Sequence, residues 1–232
     1  MNLASTTIVE AMDSRCDSMN GRVPQGSGDF FLDGLRVLKA NWIKILIFNI
    51  LYFGAFTVGV IYGLSNPAQQ LTLARLVQIE LRNNPTSRIV LDALMRRDML
   101  TATVFTFIHN LIYPALLIST CGGLLILPLI LNIWQYFILG VIFSPTTMAH
   151  VFVLTLSFPV LLMETESYVF ASIVGLNLTL GLIKPNLLYK DMKLTRKQAL
   201  RQSLNACVAV YIWIITILLV SAAIEIFTLT AI

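Results

Sequence analysis

Charge is scarce in this chain. Only 12% of its 232 residues are Asp, Glu, Lys or Arg, about half the share of a soluble domain, so an ordinary water-soluble fold is excluded. The three cysteines, Cys16, Cys121 and Cys207, have no CxxC spacing. That leaves no disulfide framework or thiolate metal site, and the two beside apolar runs read as small packing residues. The two histidines, His109 and His150, are too few for a His-based metal centre, so neither metal nor cofactor is expected. Gly26-Ser27-Gly28 has no following Lys and precedes no strand, so it is no phosphate loop. No Ser/His/Asp or Cys/His arrangement stands at a readable spacing, and Ser157, Ser167 and Ser172 read as packing hydroxyls. The expectation is a protein that is not an enzyme. Its basic residues are not interleaved with exposed aromatics in a soluble module, which argues against a nucleic-acid partner.

What is abundant is apolar side chain, 57% of the residues, with a mean hydropathy of +0.80. Several runs approach the ~20 residues that cross a bilayer as a helix. They are continuous rather than alternating, which argues against a barrel and leaves helices to satisfy the backbone in lipid. The fold class is therefore all-α, a polytopic helical membrane bundle of five to six transmembrane segments with the lipid bilayer as its first partner. Residues 1–28 read as a flexible cytoplasmic N-terminus. Residues 29–232 form a single transmembrane domain, opening on a short amphipathic helix, 29–41, at the cytoplasmic interface. In that helix Phe30, Phe31, Leu35 and Leu38 oppose Arg36 and Lys39. Spans are expected at about 43–64, 99–120, 124–143, 148–183 and 205–227. Between the first two lies an amphipathic extramembrane hairpin, 65–98, broken at Asn83-Asn84-Pro85, with Thr86 or Ser87 as cap of a second helix, 88–99. Cys121-Gly122-Gly123 reads as a corner.

Glu164 and Glu166 stand in the middle of the apolar stretch 148–183. Ionisable groups there cost roughly 2.5–3.5 kcal/mol each on insertion scales, and the flanks on either side are each too short for a full span. We read the stretch as two half-helices joined near 164–167, with Glu166 capping the second. The alternative is two full spans and six crossings. Charge favours the first: Lys184 to Arg201 hold six basic residues against Asp191 alone. The positive-inside rule places them in the cytoplasm, together with an N-terminus carrying Arg15, Arg22, Arg36 and Lys39. Both hold only if 148–183 crosses once. The five arginines of 65–98 then lie outside, against the same rule.

Three groups of residues are candidates for function. His109, Asn110, Asn132, Glu164, Glu166 and Glu225 form a candidate buried polar or ion site. There the acids either bind a proton or cation within the bundle, or cap helix ends and fix the fold. Gly59-Val60-Ile61-Tyr62-Gly63 is a GxxxG pattern that, with Gly175, marks close helix packing or ordinary glycine usage. Lys190, Lys193, Arg196, Lys197 and Arg201 either face anionic lipid or a partner, or serve topology alone.

Residues 40–229 resemble the stage II sporulation protein M family. The likeness rests on Pro159 followed by Glu164, then Ala171-Ser172-Ile173-Val174-Gly175-Leu176, the basic 190–201 segment and the closing Ala222-Ala223-Ile224-Glu225. His109-Asn110 is similar to a paired-Asn motif, and Asn132 to an Asn of the third span. The family's Pro-His-Gly here reads Pro159-Val160-Leu161, and the first Asn of its pair is His109. Any chemistry of the missing histidine is therefore absent. The resemblance implies a non-catalytic membrane scaffold or accessory subunit of an envelope complex, in a prokaryotic plasma membrane, with other membrane or envelope proteins as partners. A homo-oligomer is also compatible. The alternative is a transport or immunity component for an ion, peptide or lipid, using Glu164 and Glu225.

Overall fold

The computed structural model describes residues 30–121, 126–188 and 194–231. The expected mobile N-terminus 1–28, the Gly122-Gly123 corner, Lys190 and Lys193 lie outside them. The described chain is helical throughout, with no strand among these residues. In order the helices are α1 (Phe30–Ala40), α2 (Trp42–Ser65), α3 (Pro67–Asn83), α4 (Pro85–Met95), α5 (Met99–Asn110), α6 (Ile126–Ile142), α7 (Met148–Ile183), α8 (Pro185–Leu188) and α9 (Arg196–Ala231). α5 runs directly into a π-helical segment, Leu111–Thr120, that contains Pro114.

Side-chain caps set several boundaries. Asn84, not Thr86 or Ser87, caps α4. Its side-chain oxygen accepts from the amides of Thr86 (2.9 Å) and Ser87 (3.4 Å), and Pro85 at the first helical position loses no bond by lacking its N–H. Asp98 caps α5 and Thr147 caps α7. Thr195 and Gln198 form a reciprocal box. The Thr195 amide donates to the Gln198 side chain at 3.0 Å, and the Gln198 amide donates to the Thr195 hydroxyl at 3.4 Å. The last helix therefore starts at Arg196, well before the apolar run begins, and Arg196, Lys197 and Arg201 are exposed on its first turns.

The expected break near 164–167 is absent: α7 is one helix of 36 residues. At ~1.5 Å per residue it rises about 54 Å, so its two apolar flanks are parts of a single over-long crossing. No break is needed, because its polar groups are satisfied while it stays helical. The hydroxyls of Thr165 and Ser167 donate to the carbonyls one turn back, Leu161 (2.6 Å) and Met163 (3.0 Å). Both glutamates take amide partners from other helices, Asn110 and Asn49. Glu166 consequently caps nothing.

Four helices are long and apolar enough to cross a membrane, Trp42–Ser65, Met99–Thr120, His150–Ile183 and Arg196–Thr230, with Leu129–Ile142 as a shorter apolar helix. Contacts between their ends fix how they alternate. Lys44, at the start of α2, donates to Asn177 near the end of α7 at 2.7 Å. Gln70, at the start of α3, donates to the carbonyls of Ile142 (3.1 Å) and Ser144 (2.8 Å), and accepts from the Thr146 hydroxyl at 2.9 Å. The start of α2 thus shares one end of the bundle with the end of α7, and the α3 junction shares the other with the α6–α7 turn. Among the described residues the chain traverses the bundle five times, and the six-crossing alternative falls with the break. The end of α7 and the first turns of α9, where Gly181 lies against Ala199 and Ser203, share the end of the bundle that holds the start of α2.

The two most extensive helix–helix contacts are α7 with α9 and α2 with α6. The second is a backbone-to-backbone approach made reciprocal by two glycines. A Cβ on Gly59 would strike the Phe137 carbonyl, and one on Gly140 would strike the Phe56 carbonyl. Gly63, one turn on, faces the Val141 carbonyl and the Ser144 side chain. Without water to drive apolar association, small residues at such crossings let dispersion contacts hold helices together. The amphipathic reading of α1 also changes. The helix docks on α9, burying Asp33, Gly34, Val37 and Leu38, while Phe31 stacks on Trp213 at 3.9 Å and its carbonyl accepts from the Trp213 indole at 3.0 Å.

Gly59→Leu is expected to lower stability by about 1–3 kcal/mol, the cost of overpacking, seen as a lower Tm in detergent. Gly54→Ala is the control. Nothing lies near its added Cβ, so it should be neutral or stabilising by about 0.5–1 kcal/mol.

At the α5 cap, the Thr101 hydroxyl (2.7 Å) and amide (3.1 Å) both donate to Asp98 and hold its carboxyl below the usual carboxylate range. A depressed folded value adds stability above the unfolded value, about 3.9, and loses it as pH falls through the folded one. Amide exchange in the first turn of α5, corrected for intrinsic rates, should be flat from neutral pH to about 4 and rise below. Asp98→Asn should keep the cap and remove the pH dependence.

Candidate functional site

A cleft of about 470 Å³ opens between the α3–α4 pair and the bundle formed by α5, α7 and α9. Asn110, the last residue of α5, reaches α7 and donates through Nδ2 to Glu164 Oε1. His109, one residue earlier, also lines the cleft and stacks on Tyr113 with ring centroids 5.8 Å apart. Glu225 enters from the last turns of α9, whose Ile226 is buried against Ala93 of α4 and Ala102 of α5. α4 supplies an apolar wall through Val90, Leu91 and Leu94. Four of the six residues expected in the polar site, His109, Asn110, Glu164 and Glu225, therefore meet.

The other two do not. Asn132 of α6 belongs to a separate buried network, donating to the Tyr52 hydroxyl (3.2 Å) and to the Ser119 hydroxyl (3.3 Å). Tyr52 in turn pairs with Ser172 at 2.9 Å and stacks on Tyr136 at 4.9 Å. Glu166 points to another side of α7 and is hydrogen-bonded by Asn49 of α2. The Asn49 side-chain oxygen is buried without a partner, so its amide nitrogen makes that bond. Glu164 and Glu166, two residues apart on a helix, face about 200° around the axis from each other, which is why they cannot share a site. Gly175 approaches the carbonyls of Ser119 and Thr120, the same close contact made by a different helix pair.

Asn49, Tyr52, Ser119 and Gly140 also take part in these contacts, and the sequence groups none of them with the candidate site residues. Asn49 and Gly140 were visible as polar or small residues inside apolar runs. The pairing of Tyr52 with Ser172 spans 120 residues and has no local signal. Cys121 is an exposed free thiol and Cys207 a half-buried one.

The electrostatics of the cleft are one-sided. The ion pair seen among the described residues is Arg36 with Asp33 at 3.1 Å, far from the cleft. Glu225 has no hydrogen-bond partner there, and Glu164 has an uncharged one. Arg82 lines the cleft from an exposed position, where water screens it. No group of three or more His, Cys, Asp or Glu side chains able to hold a metal converges among the described residues.

Long apolar helices around a polar-lined cleft define a polytopic α-helical membrane protein. Residues 45–228 match the family described as stage II sporulation protein M, and the chain belongs to that family. No curated protein and no solved structure matches it.

Asn110→Ala strands the Glu164 carboxylate and should cost about 1–3 kcal/mol, the penalty for a buried polar group left unsatisfied. Thermal unfolding in detergent reads this. In a Glu164→Leu background the same substitution should cost clearly less, because no carboxylate remains to be stranded.

Proposed function

We propose that this protein is a non-catalytic scaffold or accessory subunit of a multiprotein envelope complex, set in the cell membrane with its N-terminus in the cytoplasm. One observation supports this most. α3 stands outside the set of helices apolar enough to cross a membrane, yet it leaves Leu71, Leu76 and Ile79 more than half exposed. Large apolar side chains held out on a helix anchored at its base by Gln70 suit a surface that another protein covers. The shared placement of the α2 start and the first turns of α9, with their exposed basic residues, at one end agrees with both lying in the cytoplasm. α3 and α4 then face the exterior. Exposed Arg196, Lys197 and Arg201 would add a lipid- or partner-facing surface on the cytoplasmic side.

A second reading draws on the cleft. Paired acids within a bundle suit a transport or immunity component that moves an ion, peptide or lipid. The two readings separate on Glu164→Gln and Glu225→Gln. A scaffold keeps its assembly in both variants, whereas a coupled transporter assembles but loses activity.

The test of the scaffold reading is purification of the tagged chain in mild detergent from its native membrane, with mass spectrometry of what accompanies it. Stoichiometric co-purifying proteins are expected. Leu71→Ser, Leu76→Ser and Ile79→Ser combined should reduce them at least tenfold while leaving the Tm of the isolated chain unchanged. A chain that purifies alone or only with copies of itself would sink the proposal.

A further inference from the structure

We infer that the cleft between α4 and the α5–α7–α9 bundle binds an organic monocation, a primary ammonium carried on a compact apolar body. The inference is independent of the scaffold reading.

Three observations carry it. First, Glu164 and Glu225 come from different helices to one cleft with no cationic partner among the described residues. A carboxylate in a membrane bundle is costly unless it is paired. Asn110 satisfies one oxygen of Glu164, and Glu225 has no hydrogen-bond partner among the described residues. The two acids therefore retain acceptor oxygens that no described donor meets, and a primary ammonium supplies both the opposite charge and three donors. Second, the volume, about 470 Å³, lies in the range of small-molecule sites, roughly 300–1,000 Å³, and far exceeds the ~30 Å³ of one water. A bare cation would leave most of it empty, and the described side chains include no metal-binding group of three. Third, the rest of the lining pairs an apolar strip with the uncharged polar side chains of Gln78, Thr86, Ser87 and Thr106. Leu81, Val90, Leu91 and Leu94 give an alkyl or aryl body a surface to bury, at roughly 25 cal/mol per Å² removed from water. The other titratable groups facing the cleft are His109 beside Asn110 and Arg82 on the exposed rim. Arg82 opposes a cation only weakly across water, so the two glutamates decide the sign of the ligand.

The test is isothermal titration of the full chain in lipid nanodiscs with hexylammonium chloride, alongside 1-hexanol and ammonium chloride. Saturable binding of hexylammonium is expected, at least tenfold tighter than either control. Glu164→Gln and Glu225→Gln should each weaken it at least tenfold, whereas Glu166→Gln, an acid of the same helix outside the cleft, should leave it unchanged. Esterification of carboxyl groups by a diazo reagent, which does not couple amines to them, gives a readout on the unaltered chain that needs no variant. Hexylammonium should protect Glu164 and Glu225 from modification and leave Glu80 unaffected. Four results would overturn the inference: no saturable binding, hexanol binding as tightly, ammonium alone binding as tightly, or labelling of both glutamates undiminished by the ligand.

Discussion

Everything in this bundle depends on α7 remaining one helix while it carries polar groups across a region that offers no water. An unsatisfied backbone or side-chain group there costs several kcal/mol, so each polar position of α7 becomes an attachment point. Glu164 takes Asn110 from α5, Glu166 takes Asn49 from α2, and Ser172 takes Tyr52, also from α2. The Ala171 carbonyl accepts from Thr120 of the π segment at 3.2 Å. Even the Val160 carbonyl, beside Pro159, accepts from Ser221 of α9 at 3.4 Å. The helix is tied on several sides by bonds that exist only when neighbouring helices stand at one height and rotation. The apolar contacts among Val169, Ile173, Ile214 and Leu218 supply area, and the polar ties fix register.

That division explains what could be read from sequence. Apolar runs report where helices are, because lipid-facing length is a local property of the chain, so the membrane class and most spans were legible. So was the odd number of crossings, because the basic residues of 184–201 carry topology by composition alone. The break in α7 was a wrong inference from a correct premise. The two glutamates do need partners, but the partners are amides on α2 and α5, more than fifty residues away, and a local reading offered only a local remedy. The same limit split the expected polar site. His109, Asn110, Glu164 and Glu225 could be grouped by type, yet Asn132 has the same chemistry and serves Tyr52 and Ser119. Caps were within reach. Asn84 before Pro85, and Thr195 three residues before Gln198, are sequence signatures of helix starts that the apolar runs overshadowed.

Helix lengths give the molecule its two unlike ends. α7 and α9, each 36 residues, exceed a hydrocarbon core of about 30 Å and pair along much of their length. α2 and α6 are shorter. At one end the first turns of α9 emerge, bearing basic residues. At the other, α3 and α4 fold back over the bundle and close one side of the cleft. Glu225 sits near the last turns of α9, under α4, so the acids are reached from the end opposite the basic one.

The π-helical segment, Leu111–Thr120, turns its inward face at a wider interval than an α-helix. Its buried residues are Pro114, Ala115, Ser119 and Thr120, two adjacent pairs repeating at an interval of five, the interval of its i→i+5 bonds. Ser119 holds Asn132, and Thr120 holds Tyr211 at 2.7 Å. In an α-helix neighbouring residues diverge by about 100° and an interval of five drifts by about 140°, so the two pairs could not keep facing inward together. The wide turn holds α6 and α9 in a relative rotation that an ordinary helix, with its narrower repeat, would not set.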